Sequence, residues 1–577
     1  MKVNIVSANN LNNASVDVEV LNLMFKKLRE NIEIQHVNWT HYKCPNASIN
    51  VFLQCMNYQF IQYAKVNVAI IDHENMTMNM VDYLANMDYV ICKSYYSYQV
   101  IQTALKSRGY PINNLVELGW RSPNIEVGIQ NKNFQRVLLF CNQRNSDIYS
   151  RIIDEWNSDL PVLEVVSANT NIILRNPKTR KEQSNINYND KIESHEFHKL
   201  FNECGFHLII EDRASFENLI NQCQQVGSIP IALYGGANRE IFSSDNGVEL
   251  SCKKKKSIDT KLGSLFSFNP QHVISKITDT LNLSSESIEL LSRDAKINSH
   301  SNTCKFEAKF LDLFKNIVSQ VRVTKKPNYK LSDENLPTVS IITPTYNRKK
   351  FFSLAILNYN SFDYPREKLE WIIVDDSDSD NSVESLLPVE AARAKYNITY
   401  VRLDERATIG EKRNIAIKRA KNDIIVCMDD DDYYYPQSIK TRVELLVGFH
   451  SKNENIKCVG CGTFAAFEIN KYISIINNKN YDLPFYHKIA PASLAFYRDF
   501  TNQDTFVGFS DSDKNEADSL IKDRVNQVAE ISWENVMVAL IHRNNTSDMR
   551  VPGDEKPNGC HFKFSEKLFK FITELDT

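Results

Sequence analysis

The stretch that decides the fold is Ile424–Pro436, IIVCMDDDDYYYP. Its first five residues, Ile424–Met428, are a short unbroken apolar run, the pattern of a strand buried on both faces. The run stops at four aspartates, Asp429–Asp432, followed by three tyrosines and Pro436. Earlier stretches share this construction. Val339–Thr343 leads into Pro344-Thr345-Tyr346-Asn347-Arg348. Trp371–Asp375 leads into Asp376-Ser377, and Ile398–Leu403 precedes Gly410-Glu411-Lys412-Arg413-Asn414 at the start of a helix. Strands alternating with helices predict an open parallel α/β sheet, whose ligands gather at the carboxyl ends of the strands. A lone acidic cluster is most often a solvated loop. Four polar clusters, each behind a buried strand, point instead to one site.

The residue types narrow the chemistry. Several carboxylates at one strand end repel each other unless a cation lies among them. Hard oxygen ligands suit Mg²⁺ or Mn²⁺, and a nucleotide diphosphate would complete the coordination. Such a metal neutralises a departing diphosphate as a Lewis acid. Arg413 at a helix start would add charge-assisted bonds to phosphate. Asp376 would accept from a base or ribose donor, and Tyr346 would pack on the base.

The rest of the chain sets the frame. Its 577 residues imply more than one domain, and 42% hydrophobic with 24% charged residues is a globular profile. The net charge of −3 offers no basic groove for nucleic acid, and Lys253–Lys256 reads as a solvated loop. No apolar stretch reaches the length of a membrane span, and the start, MKVNIVSANN, lacks a signal-peptide core. A soluble, cytoplasmic protein is the expectation, and abundant asparagine with few glycines reads as the codon bias of an AT-rich genome. Cys458 and Cys461 form a CxxC without a second ligand pair, so they read as free core thiols closing a strand.

Strand–helix alternation also fills the first half. Strands are predicted at Val3–Ser7, Val66–Ile71 and Tyr89–Cys92, with a helix over Val16–Leu28, giving one Rossmann-like domain over 1–125. Arg136–Cys141, Pro161–Val166, Phe206–Ile210 and Ile229–Leu233 are the strands of a second over 126–323. Its helices are Ser146–Trp156, Ser215–Val226, Pro270–Leu283 and Ser285–Val318, and Asn176–Asp190 is a long loop. Residues 324–337, TKKPNYKLSDENLP, read as a linker to the domain at 338–577.

TPTYNR (343–348), IIVDDSD (372–378), GEKRNIA (410–416) and MDDDDYYYP (428–436), in this order, resemble the family-2 inverting glycosyltransferases of the GT-A fold. The likeness runs from Pro337 to the C-terminus. It implies transfer of a sugar, with inversion, from a nucleoside-diphosphate sugar to a hydroxyl of a glycan, protein or lipid-linked acceptor, with a UDP-sugar favoured. It implies Mn²⁺ or Mg²⁺ as cofactor. Pro344, Tyr346, Asp375 and Asp376 would hold the nucleoside, Arg413 the nucleotide, and Asp429 and Asp430 the ribose side. Asp431, with Asp429 and His542, would hold the metal. An inverting transfer needs a carboxylate base, which the family places at a helix start. The matching stretch, Lys514–Leu520, offers Asp518 and, second, Glu516, interrupted by Ala517. Both would otherwise be ordinary first-turn acids.

The first half resembles, more weakly, the retaining GT-B glycosyltransferases, through Glu211–Ile241 with Gly227-Ser228-Ile229-Pro230. The family's glutamate pair is missing: Gln222 and Ala214 stand at its positions, and Glu217 is out of register. Arg213 and Arg239 remain as basic groups. A second active transferase and a degenerate one that binds acceptor glycan or a partner are both open, the missing glutamates favouring the latter. Two rival readings stand for the second half. One is a catalytically inactive carbohydrate-binding scaffold. The other is a sugar-phosphate nucleotidyltransferase, against which the glycine-free TPTYNRKK counts. The sequence fixes neither acceptor nor oligomeric state.

Overall fold

Six parallel strands open the chain in the computed structural model: β1 (Lys2–Ser7), β2 (Glu33–Asn38), β3 (Ile49–Leu53), β4 (Val66–Ile71), β5 (Tyr89–Cys92) and β6 (Leu115–Glu117). Their order is β2-β1-β3-β4-β5-β6. β3 and β4 are buried throughout; each is apolar but for one asparagine, and Asn50 Nδ2 donates to Asn67 Oδ1 at 3.1 Å, which satisfies the pair inside the sheet. A second parallel sheet takes β7 (Asn133–Cys141), β8 (Val162–Ser167), β9 (Ile186–Asn189), β10 (Cys204–Ile209), β11 (Ile229–Leu233) and β12 (Val248–Leu250). Its order is β12-β11-β10-β7-β8-β9. A hairpin of β13 (Lys253–Lys255) and β14 (Leu265–Ser267) follows. The structure describes all residues except 9–11, 29–30, 42–43, 126–131, 142–145, 168–182, 190–191, 256–259, 324–329, 390–392, 394–395, 479–482, 502–507, 544, 546–561, 563 and 577.

The helix Asn218–Val226 ends at Gly227, whose φ of 78° is the left-handed conformation that glycine adopts without strain. The 39-residue helix Ser285–Val323 serves both sheets. Ile288 near its start joins the core of the second sheet, and Phe306, Phe310 and Phe314 join that of the first. All of this lies in one unit, Met1–Asn57 with Tyr63–Thr324.

The other unit is Tyr58–Gln62 with Lys325–Thr577. Its strands are β15 (Val339–Thr345), β16 (Leu369–Asp375), β17 (Ile398–Arg402), β18 (Ile424–Cys427), β19 (Tyr433–Tyr434) and β20 (Cys458–Gly460). They continue with β21 (Thr463–Glu468), β22 (Ile473–Asn478), β23 (Ala495–Tyr497), β24 (Val528–Glu530) and β25 (Met537–Ile541). The main sheet has the order β17-β16-β15-β18-β23-β20-β24. Its first four strands are parallel, and β23 runs antiparallel to both neighbours. A smaller sheet, β19-β25-β21-β22, packs into the same core. The architecture is therefore mixed α/β built on parallel sheets.

Several expectations need correction. The predicted helix at Ser215 begins at Asn218, with Glu217 capping it by accepting from the Leu219 amide. The predicted loop Asn176–Asp190 contains β9, an edge strand whose mixed polar pattern hides it; 176–182 and 190 lie outside the described residues. Lys253–Lys255 form the exposed strand β13, with Lys256 outside the described residues. Of the predicted linker, 324–329 lie outside the described residues. The remainder packs onto the second unit: Leu336 is in its core, and Lys368 donates to the carbonyls of Asp333, Glu334 and Leu336. Cys458 and Cys461 are buried free thiols, and burial pushes Cys461 up to about 12. Among the described residues no helix is long and apolar enough to cross a membrane.

Candidate active site

The carboxyl ends of β15, β16 and β18 bring the polar clusters together. At the end of β16, Asp376 is buried and receives three bonds. Lys412 Nζ and Arg406 each donate from 2.7 Å, and the Ala407 amide from 2.8 Å. Burial alone would raise its pKa, but these donors outweigh it and hold the carboxyl below its usual range. The Arg406 guanidinium lies 3.8 Å from the centroid of the Tyr346 ring. Tyr346 thus presents to the site a face already paired with a cation. Pro344 is buried within β15 opposite Val374. Asp375, expected beside the nucleoside, is fully buried. Its carboxylate accepts from the amides of Ser377 and Val383 and from the Tyr400 hydroxyl at 2.8–3.0 Å, so it holds the loop behind β16.

The four aspartates have four different environments. Asp429 accepts from Arg413 at 2.7 Å. Asp430 accepts from the Thr345 hydroxyl at 2.5 Å and from Arg348 at 3.2 Å. Burial pushes its pKa up to about 6, against the pull of Arg348. Asp431 is paired with Arg348 and with His542, whose Nε2 lies 3.1 Å away. Burial would raise Asp431, but Arg348 and His542 outweigh it and hold the carboxyl down. Asp432 accepts from the Leu540 amide at 3.0 Å, which ties the acidic loop to β25. Burial and its charged neighbours Asp431 and Asp429 push Asp432 well above the usual carboxylate range. His542 follows β25 directly, and its ring stacks on Phe351 with centroids 4.1 Å apart.

The helix Ile409–Arg419 carries Lys412 and Arg413. Thr408 and Glu411 form a capping box that fixes its start. Arg413 is buried, and its guanidinium spans Asp429 and Glu516. Lys412 and Arg406 are instead the basic groups that donate to Asp376. Gly410 allows the close approach of the loop bearing Glu516: a Cβ there would lie 1.8 Å from the Ser510 carbonyl oxygen. Glu516 precedes the helix Asp518–Ile521, and Asp518 opens it, so only Asp518 is a first-turn acid. Burial raises the Glu516 pKa, opposed by Arg413. Asp518 Oδ2 lies 2.8 Å from His487 Nδ1.

Arg348, Asp429, Asp431, His487, Glu516 and Asp518 are among the residues that line one cleft of about 450 Å³; Tyr346, Asp376, Arg406, Lys412, Asp430 and His542 are not among them. Sequence reasoning assigned no role to Thr345, Arg348, Arg406, Lys412 or His487. Thr345, Arg348 and Lys412 stood inside the quoted motifs, which were the visible signal. Arg406 and His487 had none. Among the described residues no three His, Cys, Asp or Glu side chains converge as a self-sufficient metal site. Asp431 and His542 converge as a pair.

The first unit has its own cavity of about 430 Å³, between the two sheets. Glu74, Glu211, Arg213, Glu217 and Gln222 line it. Arg239 instead packs over Tyr234, 5.2 Å from its centroid.

Residues 340–462 match the family model described as "Glycosyl transferase family 2". The "Poly(ribitol-phosphate) beta-N-acetylglucosaminyltransferase TarS" of Staphylococcus aureus (strain Mu50 / ATCC 700699) is 30% identical over 122 residues, 21% of this chain and 21% of that protein. The "Putative colanic acid biosynthesis glycosyl transferase WcaA" of Escherichia coli (strain K12) is 35% identical over 106 residues, 18% of this chain and 37% of that protein. The similarity to TarS thus spans about a fifth of that relative's length. Among solved structures, S. aureus TarS 1-349 in complex with UDP-GlcNAc shares 18% identity with a TM-score of 0.29, over 36% of this chain and 60% of that one. The mannosyltransferase PcManGT from Pyrobaculum calidifontis, in complex with GDP-Man and Mn2+, shares 19% with a TM-score of 0.29, over 40% of this chain and 65% of that one.

Proposed function

We propose that the second unit is a metal-dependent glycosyltransferase that moves a sugar from a nucleoside-diphosphate donor to an acceptor hydroxyl with inversion. The observation that carries this is the shared cleft: Arg348, Arg413 and three of the four aspartates, Asp429, Asp431 and Asp432, line it together with Glu516 and Asp518. The match of residues 340–462 to family 2 agrees with it.

Asp376, set among Lys412, Arg406 and the Tyr346 ring, is the nucleoside contact, and Asp430 the ribose contact. Arg348 lies beside the acidic run, where a diphosphate would sit. A hard octahedral cation takes one or two protein ligands and the rest from phosphate and water. The Asp431–His542 pair fits that need, with Asp429 nearby. When bound, the cation neutralises the departing diphosphate. Both acids line the cleft, but Glu516 is buried and held by Arg413, whereas the Asp518 side chain is 24% exposed. Asp518 is therefore the base that takes the acceptor's proton, and Glu516 fixes Arg413.

The first unit is read as a GT-B-like pair of Rossmann-like domains that binds acceptor or partner. Its two parallel sheets with a cavity between them, and Gln222 in place of a carboxylate, support that reading. TarS is named for acting on poly(ribitol-phosphate), so polyol-phosphate polymers are the acceptors to try first. The test is hydrolysis and transfer by the full chain with a panel of nucleotide sugars, UDP-sugars first, with Mn²⁺ or Mg²⁺. Turnover of one donor that Asp431→Asn abolishes supports the reading. A chain that binds glycan and turns over no donor is the inactive scaffold instead.

A further inference from the structure

The base has an unusual setting. Glu516 and Asp518 are separated by Ala517, which is buried. Glu516 is buried and held by Arg413. Asp518 stands at the first position of a four-residue helix whose N-cap, Ala517, has no side chain with which to cap it. A proton acceptor works only within hydrogen-bond reach of the attacking hydroxyl, so its carboxylate must be held in place. The short helix Phe485–Lys488 supplies a group that holds it. His487 on that helix puts Nδ1 2.8 Å from Asp518 Oδ2, and both side chains line the cleft. The imidazole is itself seated: the His487 amide donates to the Pro484 carbonyl at 3.0 Å, and its ring lies against Tyr486 with centroids 4.4 Å apart.

We propose that His487 is the positioning residue for the Asp518 carboxylate, holding Oδ2 through Nδ1 so that the carboxylate is set to take the acceptor's proton. This rests on the reading of Asp518 as the base. In the step so served, the acceptor O–H proton passes to Asp518. The acceptor oxygen bonds to the anomeric carbon of the donor. The anomeric carbon–oxygen bond to the diphosphate breaks, and its electron pair leaves with the diphosphate. Atoms and charge balance without an oxidant or reductant. Because the imidazole holds the base, its removal is expected to be felt in turnover rather than in donor binding.

The experiment compares His487→Ala, His487→Asn and His487→Gln in the full chain, using the nucleotide sugar with the highest turnover in the panel. His487→Ala is expected to lower kcat on the order of 10–100-fold, with donor KM unchanged. Asparagine carries an amide nitrogen close to where Nδ1 was, and is expected to restore most of the loss. Glutamine, whose amide reaches the place of Nε2, is expected not to. Thermal melting of each variant separates this from unfolding. Rescue by glutamine and asparagine alike would show that the ring only fills space, and would overturn the proposal. A wild-type kcat in His487→Ala, alongside an inactive Asp518→Asn, would also sink it while leaving Asp518 as base. A fully active Asp518→Asn would instead remove the reading underneath.

Discussion

Replacing Gly410 by alanine drives a methyl group into the backbone that carries Glu516 and Asp518. The added Cβ would lie 1.8 Å from the Ser510 carbonyl oxygen. Carbon and oxygen in non-bonded contact sit at about 3.3–3.6 Å, so helix and loop must separate by roughly 1.5 Å. The obstacle is backbone rather than the end of a flexible side chain, and the Gly410 amide is bonded to the Ser512 carbonyl at 3.1 Å, so the shift strains that bond too. Misplacing a catalytic group by about 1 Å costs on the order of 100-fold in rate, which sets the expected fall in kcat. Stability is affected by two opposed effects. Alanine favours the helix by about 0.5–1 kcal/mol. Overpacking costs about 1–3 kcal/mol, so the net is destabilising. The assay is donor turnover at saturation together with thermal melting, with Gly410→Val as a larger step in the same direction. A Gly410→Ala protein with wild-type kcat and melting temperature would refute the reasoning, since the loop would then not be held against the helix.

Three further outcomes are expected. Arg413→Ala leaves Asp429 and Glu516 without their buried guanidinium, and breaking such a pair costs about 3–5 kcal/mol, measurable by denaturant unfolding. Asp432→Asn keeps an oxygen for the Leu540 amide and removes a carboxyl that burial and the Asp431 and Asp429 charges push well above its usual range; its stability should stay close to wild type, whereas Asp432→Ala should lose the tie to β25. In the first unit, burial and then the Lys132 charge hold His207 down at about 3, against the Phe201 carbonyl. The unfolded chain takes up this proton below about 6.5 and the folded chain only below about 3. Stability from this group is therefore complete above that upper value and is lost as pH falls through the window, at up to about 1.4 kcal/mol per pH unit. Unfolding curves of wild type and His207→Gln across this range check it, the variant showing the flatter slope.

The parallel strands were legible because each is a buried run that ends in polar residues. The predicted run Ile424–Met428 closely matches β18, and β4, β5 and β11 match their predicted bounds. The short strands were not legible. β20, β23 and β24 have three residues each, and tertiary partners rather than local pattern make them strands. The acidic run was legible as a site marker and not as four environments. Those depend on Arg348, His542 and the Leu540 amide, which are distant in sequence and meet only in the fold. The capping box Thr408–Glu411 was present as a local signal and went unread. Nothing near His487 or Asp518 in sequence tells of their pairing, because the two short helices that bear them are brought together by the cleft.

The most direct test of the central claim is the rate of donor turnover by the full chain and by Asp518→Asn, side by side, with Mn²⁺ and with a chelator. The account predicts that at least one nucleotide sugar is turned over with metal. It also predicts that Asp518→Asn lowers kcat by about 10²–10⁴-fold with donor KM little changed, and that the chelator stops turnover. An Asp518→Asn protein as fast as wild type, or undiminished turnover in chelator, would contradict it.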